Sequence, residues 1–132
     1  MRLWHYKLLP VLPNKFIIAE WRECIAIKRQ WEKGTLKHRL VSYVKYEDID
    51  CFYWYVWQVI DEMNKRNIKY QTKFYEEIQL FCKKNDFHKQ INYPEHNERY
   101  LKQCYYNLQE KADRGIITTQ EWEKINKSIG VE

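Results

Sequence analysis

Apolar positions recur at helical spacing along most of the chain, broken by short polar stretches, and the pattern predicts about five helices. The first runs from about Asn14 to Lys33 and stops at Gly34. The second covers about Cys51 to Asn67, aromatic in its first half (Phe52, Tyr53, Trp54, Tyr55, Trp57). A shorter helix spans about Thr72 to Lys84, and another runs from about Glu95 to Arg114, closed by Gly115. Thr118 and Glu121 have the spacing of a capping box for a last short helix ending near Gly130. Thr35 to Asp50 reads as a loop carrying His38, Arg39, Leu40, Val41, Ser42 and Tyr43, and a polar loop ends at Tyr93-Pro94. Asp48 and Asp50 read as helix-cap acids. Before all of this lies an arm whose Pro10 and Pro13 argue against a helix. Its Leu3, Leu8, Leu9, Val11 and Leu12 predict that it packs on the body. The expected fold is all-α: one compact helical domain over residues 1–132, with an irregular N-terminal arm packed between helices.

Composition narrows the function classes. A chain of 132 residues is one domain long and hides roughly two-thirds of its unfolded surface. A hydrophobic content of 45% excludes a disordered chain. A mean hydropathy of -0.79 and no long uncharged apolar run argue against a membrane span. Three glycines leave no Gly-rich phosphate loop, and the lack of Asn-Gly or Asp-Gly argues against a β-meander. The net charge of +5 permits a polyanionic partner without requiring one. Six Trp and eleven Tyr can fill a core, and they can also stack on bases. Cys24, Cys51, Cys82 and Cys104 have neither disulfide-framework nor zinc spacing, and read as free thiols in a reducing cytosol. The first residues lack the apolar stretch of a signal peptide. His5, His38, His88 and His96 are scattered, so no metal site is expected, and no nucleophilic Ser or Cys motif occurs.

The first helix carries the sharpest signal. With residues placed at about 100° steps and Glu23 at zero, Phe16, Ile17, Trp21, Cys24, Ile25, Ile27 and Trp31 fill an arc from about 20° to 200°. Glu20 falls near 60°, inside that apolar arc, and Glu23 at its edge. Lys15, Arg22, Arg29 and Lys33 form a basic stripe a quarter turn away, with Ala19 and Ala26 between the stripe and Glu23. Each part also has a plainer reading: an ion-paired buried Glu20, a solvated row of cations. Together they describe a carboxylate beside small residues and phosphate-binding cations.

The residues Met1-Arg2-Leu3-Trp4-His5, Leu9-Pro10-Val11-Leu12-Pro13 and Ala19-Glu20-Trp21-Arg22-Glu23 resemble the pyrimidine-dimer DNA glycosylase/AP lyase family. The match is specific over residues 1–33. It is looser at Lys65-Arg66-Asn67-Ile68, at Tyr93-Pro94-Glu95-His96 and at Leu108-Gln109-Glu110-Lys111, and Trp122-Glu123-Lys124 is similar to the family's aromatic C-terminal segment. The resemblance implies a single-domain repair enzyme that excises cyclobutane pyrimidine dimers. Its N-terminal α-amine attacks the sugar, an imine forms, and β-elimination cuts the strand. It implies Glu23 as the essential glutamate, Arg22 as a phosphate contact, Arg2 as the arginine after the nucleophilic residue, and Lys111 as a basic partner. Arg2 is too bulky for removal of the initiator methionine, so Met1 itself is the expected nucleophile. Ala26 stands where the family carries a basic residue, and Arg29 is the candidate substitute. Trp122 and Lys124 are further candidate DNA contacts, with a core tryptophan and a solvated lysine as the plainer reading.

The chemistry is self-consistent. An α-amine ordinarily has a pKa of about 8, far below lysine's, so a useful fraction is neutral near neutral pH. A carboxyl group can protonate the ring oxygen or the leaving base and later help remove the C2′ proton. No cofactor is required. The expected partner is double-stranded DNA containing a lesion or abasic site, with no membrane, and the expected state is a cytoplasmic, nucleoid-associated monomer of bacterial or phage origin. Two alternatives remain open at this point: the same chemistry on another damaged or modified base, and a non-catalytic helical binding module in which Glu20 and Glu23 merely hold the arm through Arg2. A spatial meeting of Met1 with Glu23 in a concave basic surface separates them.

Overall fold

The computed structural model describes residues 1–85 and 88–129. Gly130, near which the last helix was expected to end, lies outside the described residues. The fold is all-α, with no strand among the described residues. Five α-helices follow one another: α1 (Asn14–Glu32), α2 (Ile49–Lys65), α3 (Thr72–Cys82), α4 (Glu98–Asp113) and α5 (Thr119–Ile129). Helix α1 packs along α2, both touch α3, and α4 pairs with α5. The N-terminal arm lies against α2 and α5.

The ends of the helices follow local chemistry. At α1, Gly34 has φ +73° and the Thr35 N–H reaches back to the Gln30 carbonyl at 2.8 Å, a Schellman closure. Gly115 ends α4 the same way, with Ile116 N–H on the Lys111 carbonyl at 2.9 Å. The capping box of α5 forms as its spacing predicts: Glu121 N–H donates to Thr118 Oγ1, and Thr118 N–H donates to Glu121 Oε1. Asp48 caps α2 by accepting from Asp50 N–H at 2.9 Å. Asp50 itself pairs with Lys84.

Several expectations are corrected. The arm is not wholly irregular: Tyr6–Val11 forms a 3₁₀ turn with Pro10 inside it. So short a turn, with His5 Nδ1 accepting from Lys7 N–H at its start, tolerates the one donor that proline removes. The loop from Thr35 contains a second 3₁₀ turn, Ser42–Tyr46, seated by buried Val44. Helix α4 begins at Glu98 rather than Glu95, because the Asn97 side chain caps it on Tyr100 N–H at 2.9 Å. Helix α2 begins and ends two residues early, because Asp48 opens it and Asn67, at φ 56°, closes it in the left-handed region. Helix α3 ends at Cys82, with Lys83 left-handed at φ 57°.

The core is aromatic and aliphatic. Phe52, Tyr53 and Tyr55 of α2 are fully enclosed, together with Leu3, Leu8, Leu9 and Leu12 of the arm. All four cysteines are buried and free. Lys28, on the inner side of α1, is buried as well. Burial works against its charge, but the hydrogen bonds it donates to Glu32 and Glu77 outweigh that and hold it above its ordinary range. The arm is rooted by Arg66, whose guanidinium donates to the carbonyls of Leu9, Pro10 and Leu12 and to Asn14 Oδ1 while pairing with Glu62.

Candidate active site

Leu3 and Trp4 are held by side chains from three helices. Trp4 N–H donates to Glu20 Oε2 of α1 at 2.7 Å. The Tyr55 hydroxyl of α2 donates to the Trp4 carbonyl at 2.6 Å and lies 2.8 Å from the same Glu20 oxygen. From α4, the Tyr100 hydroxyl donates to the Leu3 carbonyl. Three backbone groups just behind the N-terminus are thereby fixed.

Glu20 is 1% exposed. Burial, opposed by the bonds from Trp4 and Tyr55, leaves its pKa raised to about 8. The single phenol proton of Tyr55 is shared between the Trp4 carbonyl and Glu20 Oε2. The sequence offered an ion pair as the plain reading of this residue. The structure replaces it with backbone and phenol partners, because the inner side of the arm brings amides rather than cations.

The N-terminal segment forms one wall of an open cavity of about 520 Å³. Met1, Arg2, Trp4, Lys15, Phe16, Ala19, Glu20, Glu23, Asn107 and Lys111 line it, and Leu40 completes the rim. Five candidate site residues named from the sequence, Met1, Arg2, Lys15, Glu23 and Lys111, therefore line one cavity, though they come from the arm, α1 and α4. Glu23 is partly buried and its Oε2 has no hydrogen-bond partner. An enclosed, unsatisfied carboxylate oxygen is costly unless something else occupies it. Ala19 leaves the helix surface open, as the helical projection indicated. Arg2 stands over the Trp4 ring at 5.6 Å and its guanidinium also bonds the Tyr100 and Cys104 side chains, with no ion pair to Glu20 or Glu23 among the described residues.

The basic stripe of α1 divides. Lys15 reaches the Ile116 carbonyl and lines the cavity. Arg22 is exposed. Arg29 is engaged with Glu77 at 3.1 Å and lies over Phe74, and Lys33 shares that far end of the helix, away from the cavity. Trp122 packs on the core beside Tyr105, ring centroids 5.1 Å apart, which is the plainer of its two readings. Lys124 lines a neighbouring groove together with Lys15 and Arg66.

His96 is buried under the arm. Its Nε2 lies 2.7 Å from the Tyr43 hydroxyl and its Nδ1 accepts from Tyr6 N–H at 3.3 Å, while burial pushes its pKa down to about 3. It is a neutral strut. Sequence reasoning missed Tyr55, Asn107 and Leu40. Tyr55 sits in an aromatic run with no mark to separate it from its neighbours; Asn107 lies four residues before Lys111, on the same face of α4, and that spacing was the available signal.

Residues 1–76 match the model of a protein family described as pyrimidine dimer DNA glycosylase. No curated protein and no solved structure matches the chain. The family match covers more than half of the chain, and the chain belongs to that family.

Proposed function

We propose that this member of the pyrimidine dimer DNA glycosylase family couples base excision to AP lyase chemistry, with the α-amine of Met1 as nucleophile and Glu23 as general acid and base. The nitrogen lone pair attacks C1′ of the damaged nucleotide. The glycosidic bond breaks, and the base leaves with its bonding pair and takes up a proton. Cleavage of C1′–O4′, with a proton delivered to the ring oxygen, gives the imine. Removal of a C2′ proton then expels the 3′ phosphate by β-elimination. Glu23 supplies and accepts these protons. Arg2, Lys15 and Lys111 balance the phosphate charge around the sugar, and Arg22 adds an outer contact. The substrate is duplex DNA carrying a cyclobutane pyrimidine dimer or an abasic site, met by a monomer.

The observation that carries this reading is the shared cavity. Met1, Arg2, Glu23 and Lys111 line one space with an unpartnered carboxylate oxygen in its wall. In the non-catalytic reading Glu20 and Glu23 hold the arm through Arg2. Glu20 instead holds it through Trp4, which leaves Glu23 unused by the scaffold.

Borohydride reduction on an abasic duplex tests the proposal, since it converts an imine to a stable amine. The protein should become covalently attached to DNA, and digestion should place the adduct on the N-terminal peptide. An adduct on Lys15 or Lys111, the two lysines of the cavity, would overturn the Met1 assignment. Absence of any adduct during active cleavage would overturn the imine route.

A further inference from the structure

We infer that Tyr100 is a positioning residue: its hydroxyl seats Arg2 and Leu3 together and so aims the α-amine of Met1. The inference rests on the lyase reading above and adds a residue that lies behind the cavity rather than in its lining.

A nucleophile gains most of its advantage from being held in place, and a displacement of about 1 Å can cost about a hundredfold in rate. A chain terminus is poorly suited to this, because a single peptide bond joins its residue to the rest of the fold. Here the restraint comes from residues 2 and 3. The Tyr100 hydroxyl donates its one proton to the Leu3 carbonyl, and the Arg2 guanidinium, which carries donors only, bonds the same phenol oxygen. Among the described residues no other side chain bonds both Arg2 and Leu3. Glu20 and Tyr55 fix Trp4 instead, on the far side of Leu3. The backbone rotations left between the Tyr100 anchor and the amine are those about Met1 and Arg2.

Tyr100 is itself fixed. It lies in the first turn of α4, where its N–H donates to the capping Asn97 Oδ1 at 2.9 Å. Its ring packs against His96 and His5, with centroids 5.1 and 6.3 Å away, and His96 is braced in turn by the Tyr43 hydroxyl. Cys104, one turn further along the same face of α4, bonds Arg2, Tyr100 and the His5 backbone. Burial holds the Tyr100 phenol above its ordinary range, so its proton stays in place at about pH 8, where an α-amine ordinarily titrates. The seat therefore persists while the amine changes its own protonation.

The test compares parent, Tyr100→Phe and Tyr105→Phe in steady-state cleavage of an abasic duplex and in NMR spectra with isotope-labelled methionine methyl groups. The chain has two methionines, Met1 and the buried Met63, so each reports separately. Tyr100→Phe keeps the ring and loses the hydroxyl. Its kcat should fall about tenfold with KM within about threefold of the parent's. The Met1 methyl signal should move toward its position in the urea-unfolded chain while the Met63 signal stays. Tyr105→Phe is the control, since it removes a hydroxyl of the same helix bonded to Asn126 at 2.7 Å; kcat and both signals should match the parent. A parent-like kcat for Tyr100→Phe, an unmoved Met1 signal, or a loss carried by KM alone overturns the inference. An equal fall of kcat in both variants, or a Met63 signal that moves along with Met1's, marks loosened packing and overturns it too. A parent that neither cleaves the abasic duplex nor is trapped by borohydride refutes the lyase reading. The Met1 signal then decides the seating alone, upheld if it moves in Tyr100→Phe and refuted if it stays.

Discussion

Two buried groups set opposite limits on stability, and the more alkaline one is testable through a single substitution. The Glu20 carboxyl is raised from an ordinary 4.5 to about 8 in the folded protein. Above pH 4.5 the unfolded chain releases this proton while the folded chain keeps it, so each further pH unit favours unfolding until the folded group also titrates near 8. His96 has the opposite sign. Its folded pKa is about 3 against an ordinary 6.5, so the unfolded chain binds the proton first as pH falls, and stability drops from 6.5 toward 3. Between 4.5 and 6.5 the slopes of these two groups cancel each other. From 6.5 to 8 only Glu20 of this pair acts, at about 1.4 kcal/mol per unit, which amounts to about 2 kcal/mol. Glu95, also held above its ordinary range by burial, contributes equally to parent and variant and cancels in the comparison. Urea unfolding of the parent and of Glu20→Gln at pH 6.5 and pH 8 provides the measurement. Glu20→Gln keeps an oxygen for Trp4 N–H and cannot ionise, so its stability should change by about 2 kcal/mol less than the parent's over this interval. Identical slopes for the two proteins would refute a neutral Glu20.

The remaining predictions concern chemistry and charge. Glu23→Gln keeps shape while removing the charge and the exchangeable proton, so strand cleavage should fall by about a hundredfold or more while DNA binding and thermal stability persist; cleavage of abasic duplex at the parent rate, or simple unfolding, contradicts the assignment. Arg22 and Arg29 should separate in salt titrations of duplex binding: Arg22→Ala should lower the slope of log K against log salt by about one, and Arg29→Ala, whose guanidinium is taken by Glu77, should leave it nearly unchanged. Equal slope changes for both would show the whole stripe on the DNA.

Much of this was legible before any coordinates. Helix α1, its stop at Gly34 and the Thr118–Glu121 box depend on residues a few positions apart, and local spacing specifies them. The helical projection also set Glu20 in the apolar arc and Glu23 at its edge, where burial and an open cavity are found. What periodicity could not supply is who meets whom across the chain. Lys28 looks like a break in the apolar arc until Glu77 of α3 arrives to pair with it. Glu20 looks ion-paired until the arm delivers Trp4. The division of the basic stripe depends on Glu77 as well, because one carboxylate claims Arg29 and leaves Arg22 exposed.

The clasp on the arm also fixes a schedule. Ribosomes release the N-terminus first, yet Leu3 is held by Tyr100, Tyr6 by His96, and Lys15 by Ile116, partners 97, 90 and 101 residues downstream. At about 5–20 residues per second, roughly 5 to 20 s separate the appearance of the N-terminus from that of the groups that seat it. During that interval the amine is an ordinary chain terminus, with Glu23 on a helix whose α4 wall is not yet made. In the mechanism we propose, competence to cut DNA therefore arrives with the last third of the polypeptide, and a product truncated before α4 carries the proposed nucleophile and glutamate without the Asn107 and Lys111 wall of their cavity.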